Sequence, residues 1–250
     1  MKDLLKHEIY KLFKSKTAWI LAAVVGGLAF LNVLIVFAGQ ELLADFGISA
    51  AGYQNAATAY VDIQSAGIAA AIIAALLISY ETNHRTLGQA VIAGKTRLQI
   101  YAAKYLTVIL YVCVLTASLF IINAALSAVL FDWGKTVTFG NLLMDLAVPL
   151  VMTLVLSCAF AAFITFFAFL TASTAVVIII PVALLFVLSL LDALLFYLGV
   201  DGFYLFNTII YQFWSYPTFL NFLIYFFWVV LFAAPFGYFG FKVFEKKEIK

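Results

Sequence analysis

The sequence predicts an all-α integral membrane protein with six transmembrane helices and both termini in the cytoplasm. Three observations predict it: the composition, the lengths of the apolar runs, and the one-sided placement of basic residues. Of 250 residues, 66% are hydrophobic and 10% charged; a soluble domain runs at about 45–50% and about 25%. Lys+Arg 14 and Asp+Glu 12 are too few to cover a water-facing surface, so the solvent must be largely lipid. A cytosolic enzyme, a nucleic-acid binder and a disordered chain are thereby excluded. A net charge of +2 points to no polyanionic partner.

A hydrocarbon core of about 30 Å takes about 20 apolar helical residues. An amphipathic segment, 1–16, comes first. Spans are then expected at about 17–39, 58–80, 100–126, 141–170, 174–198 and 219–241. The fourth and fifth must be split, because no charge occurs over the 46 residues between Asp145 and Asp192. As one helix that run would reach roughly 70 Å, more than twice the membrane. Thr171-Ala172-Ser173-Thr174, its smallest and most polar patch, is the expected turn.

The basic residues orient the bundle. Five lysines precede the first span; Arg85, Lys95, Arg97 and Lys104 lie in or beside the second connection; Lys242, Lys246, Lys247 and Lys250 close the chain. With six spans only Lys135 falls on the other side, which the positive-inside rule assigns to the exterior. The N-terminus reads as a retained span and not a secretory signal, since its charged and apolar regions are both too long. Ahead of that span, Leu5, Ile9, Leu12 and Phe13 recur at helical spacing with lysines between them. An interfacial helix is expected there, its lysines meeting anionic headgroups of the membrane lipid.

Marks of chemistry inside the membrane are missing. The histidines, His7 and His84, fall outside the spans, and Cys113 and Cys158 read as packing residues. Asp62, Asp145 and Asp192 lie within a turn or two of expected outer ends, where a carboxylate reaches water or lines a substrate path. Trp214, in the aromatic stretch Phe203–Pro217, belongs either to a depth-fixing belt or to an outer gate for an amphipathic substrate. In the second span, Ala66, Ala70 and Ala74 form one small-residue row and Gly67, Ala71 and Ala75 the next, which suits a central helix or a subunit interface. Pro149 and Pro181 are expected to kink the fourth and fifth spans.

The second cytoplasmic connection, 81–99, carries most of the information. Its Gly94-Lys95-Thr96 looks like the end of a phosphate-binding loop, but the glycine spacing from Gly88 is one residue too long and no strand precedes it. A short amphipathic helix over about Arg85–Ala93, a turn at Gly94 and a basic lead-in of Lys95 and Arg97 remain. Such a helix is either a handle that a soluble partner grips to move two spans together, or a loop that only sets topology.

The chain resembles permease subunits of the ABC-2 (type-2 ABC exporter) family. The resemblance rests on a Lys-rich start, Glu8 to Lys16, on six spans, and on a connection similar to the family's E-x-x-x-x-T-L and G-x-x-R-x-x-I-x-x-x-K. The matching residues are Glu81, Thr86, Leu87, Gly94, Arg97, Ile100 and Lys104. The tail, Phe244 to Ile249, is similar to the family's F-x-x-x-D-I ending with Glu248 as the acid. The resemblance implies a coupling helix that docks on a cytoplasmic ABC ATP-binding subunit, present in two copies, and pairing with a second permease copy or a sister permease. Glu81, Arg85, Thr86, Leu87, Gly94 and Arg97 would then couple to the ATPase. It also implies that this chain is no enzyme and binds no cofactor, with ATP and Mg on the partner, and that it sits in the bacterial inner (plasma) membrane. Compact members without a large extracellular domain resemble exporters of, or immunity permeases against, membrane-active peptides. The rival classes are a non-transporting scaffold or sensor, which needs no ATPase, and a secondary carrier, which needs Asp62, Asp145 or Asp192.

Overall fold

The computed structural model describes residues 2–39, 62–83, 92, 94–131, 138, 146–171, 173–198 and 219–246. These form α1 (Lys2–Lys14), α2 (Lys16–Ala38), α3 (Asp62–Ala74), α4 (Glu81–Asn83), α5 (Arg97–Leu130), α6 (Val148–Thr171), α7 (Thr174–Tyr197) and α8 (Phe219–Lys246). A π-helical segment, Ala75–Tyr80, joins α3 to α4. There is no strand among the described residues.

Among the described residues, four helical stretches, Lys16–Ala38, Arg97–Leu130, Leu150–Thr171 and Leu223–Lys246, are long and apolar enough to cross a membrane. Gly67–Tyr80 and Thr174–Leu184 are shorter apolar stretches. Helix α5 extends beyond the expected 100–126 at both ends, and α8 continues past Phe241 to Lys246.

Helices α5 and α6 form the centre. Helix α6 packs mainly on α8 and α5, while α5 also carries α2, α3 and α1. Lipid tails are as apolar as leucine, so close backbone approach and interhelical hydrogen bonds must hold the spans together. The small-residue rows of α3 serve the first need. Ala70, Ala71 and Ala74 are fully buried, as is Ala75 at the start of the π-helical segment, and α3 touches α2, α5, α6 and α7. It is thus central in the bundle.

The second need is met at several crossings. The Tyr111 hydroxyl donates to Ala18 O at 3.1 Å, Thr116 and Ser157 share a bond of 3.1 Å, and the Tyr225 hydroxyl donates to Met152 O at 3.0 Å. Such bonds between spans are worth about 0.6 kcal/mol each on average. The Cys113 and Cys158 thiols meet at 3.6 Å between α5 and α6.

Pro149 follows a π-helical turn at 146–147 that runs directly into α6. Pro181 lies inside α7, and Pro235 inside α8.

Candidate functional site

The connection between α4 and α5 is rooted at both ends, and each root is tied to one terminal helix of the chain. At the first root, Glu81 follows the π-helical turn directly. At the second, Gly94 adopts φ +78, the left-handed conformation that glycine enters without steric penalty. Thr96 then caps α5. Its hydroxyl accepts from Gln99 N–H while the Gln99 carboxamide accepts from Thr96 N–H, both at 3.3 Å. This reciprocal cap accounts for the Gly-Lys-Thr run as the start of a membrane helix.

Lys104, two turns into α5, is the centre of the first root. Its side chain is 3% exposed, and a cation inside an apolar helix demands partners. Three acceptors meet its three N–H groups: Glu81 Oε2 at 2.7 Å, Leu77 O at 2.8 Å and Glu8 Oε2 at 3.3 Å. Lys11 closes the cluster from α1, donating to Glu81 Oε1 at 3.0 Å and Glu8 Oε1 at 3.4 Å. Two carboxylates and two ammonium groups therefore neutralise one another across α1, α4 and α5. The Leu77 carbonyl belongs to the π-helical segment, a departure from α geometry that often marks functional sites.

The electrostatics follow from these contacts. Burial opposes ionisation of Glu81, but the Lys104 and Lys11 ammonium groups outweigh it and hold the carboxyl below its ordinary range. Burial likewise opposes the charge on Lys11, and the Glu8 and Glu81 carboxylates overcome it and raise its pKa.

The second root uses backbone acceptors. Arg97 donates to the carbonyls of Phe244 and Glu245, which lie in the last turn of α8, where carbonyl groups lack helical partners. One turn further along α5, the Tyr101 hydroxyl donates to Gly237 O at 2.9 Å. Its ring packs against Phe169, Phe241 and Phe244 at 5.0, 5.7 and 6.4 Å between centroids. Gly240 permits this approach: a Cβ there would meet Tyr101 Oη at 2.7 Å and Phe166 Cα at 3.4 Å.

Of the six coupling residues named from the sequence, the structure places Glu81, Gly94 and Arg97 at the two roots. Arg85, Thr86 and Leu87 lie outside the described residues, as do Asp145 and Trp214. Asp62 opens α3 and Asp192 lies in α7, with both side chains outside the described set. Glu8, Lys11 and Lys104 join the site only through the fold. Their signal was present: a lysine inside a span must find an acid, and few acids accompany it on that side. Among the described residues, no group of three or more His, Cys, Asp or Glu could hold a metal ion.

The N-terminal helix differs from the expected interfacial helix in one respect. Leu12 is buried in the protein core and Leu4 packs beside it, so the face holding Glu8 docks on α5 and not on lipid. Phe13 remains exposed.

No protein of curated function matches the chain. The profile of the ABC-2 family transporter proteins matches residues 4–192, from α1 through the two roots and into α7. That match spans more than half of the chain and includes Glu8, Lys11, Glu81, Arg97 and Lys104. A multi-pass chain of apolar helices with a charged, doubly anchored connection thus belongs to the ABC-2 transporter family, as a membrane permease that associates with an ABC ATP-binding subunit.

Proposed function

We propose that this permease is the membrane half of an ATP-driven exporter, and that the 81–99 connection is where it receives force. A closing pair of ATP-binding subunits pushes the connection, and both roots pass the displacement into the bundle. The observation that carries this reading is the double anchorage. Glu81 is bonded through Lys104 and Lys11 to α5 and α1, and Arg97 holds the end of α8. A loop that only sets topology has no need of a buried four-charge cluster at its base.

In this reading the chain holds six spans with both termini inside, pairs with a second copy or a sister permease, and leaves ATP and Mg to two partner subunits. Glu81, Arg85, Thr86, Leu87, Gly94 and Arg97 carry the coupling. The cargo is a membrane-active peptide or another amphipathic, lipophilic molecule, in keeping with spans almost free of charge and with the aromatic stretch around Trp214. Asp62, Asp145 and Asp192 are the charged residues nearest to such a path.

The test is charge reversal at both roots, Glu81→Lys and Arg97→Glu, with the ATP-binding subunit co-purified in mild detergent. Arg97→Glu is expected to stay folded and to release its ATPase, or to keep it without nucleotide-driven transport in vesicles. Glu81→Lys, which sets a third cation in the Lys104 cluster, should do the same at reduced thermal stability, and is read at a temperature where thermal unfolding shows it folded. Unchanged capture and unchanged transport would remove the assignment.

A further inference from the structure

We infer that the corner between α1 and α2 is a selective site for anionic phospholipid headgroups. Helix α1 is two-sided. One face, with Glu8, Lys11 and Leu12, is packed on the bundle. The opposite face leaves Lys6, Tyr10, Phe13 and Lys14 exposed, and Lys16 and Trp19 continue that surface into α2. Tyr10 and Trp19 are each 60% exposed and Phe13 58%, a density of bare rings that water does not favour.

Depth follows from α2. Its 23 residues span about 34 Å, slightly more than the hydrocarbon core, so Lys16 at its start lies at headgroup level. Trp19 sits about 4.5 Å deeper, where an indole ring is most stable. The corner is also braced. The Trp19 indole N–H donates to Phe13 O at 2.8 Å, and the Ser15 hydroxyl accepts from Ala18 N–H at 3.4 Å. Lys14 lies over the Tyr10 ring at 5.7 Å.

Among the described residues, no carboxylate pairs with Lys6, Lys14 or Lys16, whereas Lys11 on the inner face has two. Unpaired ammonium groups at headgroup depth, beside rings that fix that depth, are complementary to a lipid phosphate bearing net negative charge. The same helix holds the Lys104 cluster on its other face, so the lipid on the outside steadies the lock on the inside.

The test needs no ATPase and stands apart from the transport reading. Trp133, Trp214 and Trp228 are changed to Phe, leaving Trp19 as the reporter, and the chain is placed in phosphatidylcholine vesicles. Quenching by acyl-brominated phosphatidylglycerol is compared with quenching by acyl-brominated phosphatidylcholine. Expected is a preference for the anionic lipid of about fivefold per lysine at low salt. The preference should fall towards one in K14Q/K16Q and at high salt. Equal quenching by both lipids, or a preference unaltered in K14Q/K16Q, overturns the site. The chain with all four tryptophans gives a second reading. Its thermal midpoint should rise when anionic lipid is added to zwitterionic nanodiscs, and K14Q/K16Q should abolish that rise; a rise that survives also overturns the site.

Discussion

The two roots of the 81–99 connection solve one problem with different chemistry. At the first, four charged side chains from three helices neutralise one another, with Lys104 almost wholly out of solvent. At the second, one guanidinium binds main-chain carbonyls at the end of α8, and an aromatic cluster around Tyr101 supplies the packing. A buried charge cluster tolerates no missing member, because the partner left behind faces a desolvation penalty. A cap onto backbone does not depend on the side chains of the residues that accept it. The first root is therefore brittle and specific in register, and the second is graded. In the proposed coupling role, a push on the connection would move α1 and α5 together through the first root and draw α8 along through the second.

The largest effect expected from this contrast is at Lys104. Lys104→Met leaves Glu8 and Glu81 to share Lys11 alone, and removing one member of a buried ion pair costs about 3–5 kcal/mol. Thermal unfolding in detergent should show the loss, and K104M/E8Q/E81Q should recover a large part of it. A triple variant no better than K104M would mean that shape, and not charge, holds this root.

At the second root, Gly240→Ala drives a methyl group into the Tyr101 hydroxyl while the α6 backbone at Phe166 leaves it no slack, and overpacking of this kind costs about 1–3 kcal/mol. Tyr101→Phe removes the atom at 2.7 Å while losing one hydrogen bond. The double variant should be more stable than the two single losses predict, and strict additivity would argue against the close approach.

The roots should also separate by pH. Glu81 is held below its ordinary value of 4.5, so its contribution is present above that value and disappears as pH falls through the lowered one. Lys11 is raised above 10.5, so its contribution is present below that value and disappears as pH rises through the raised one. Stability should show a plateau between these limits with losses on both sides. In E8Q/K11M/E81Q/K104M the acid-side and alkaline-side losses should shrink, while R97Q, at the other root, should leave the Glu81 and Lys11 contributions in place.

The smallest stability effect is expected from Arg97→Gln, less than about 1 kcal/mol for a half-exposed cap. Transport per ATP hydrolysed, and not the thermal midpoint, is the quantity that should fall. Glu245→Gln should leave transport per ATP unchanged, since Arg97 uses the main-chain oxygen at that position and the Glu245 carboxylate pairs with Lys242 at 2.9 Å.

Much of this molecule is readable from residue order alone, because lipid makes a one-dimensional demand. Apolar runs of span length, the small rows of α3, the stop at Thr171 and restart at Thr174, and the glycine turn at Gly94 each rest on a local requirement of chain or solvent. The π-helical stretch Ala75–Tyr80 was not readable, since it depends on how that helix packs against its neighbours. Helical periodicity could show that α1 has an apolar stripe, but not whether lipid or protein covers it; the packing of Leu12 and Glu8 on α5 decided that.

The same division holds for the site. Composition and charge placement determined by themselves that the chain lives in lipid and that 81–99 is its charged connection. Which acids neutralise Lys104, and that Arg97 reaches the last turn of α8, only the tertiary structure decided. Those partners lie 96, 23 and 147 positions away along the chain. Over such separations charge pairing is a matter of distance in space, which no spacing in the sequence encodes.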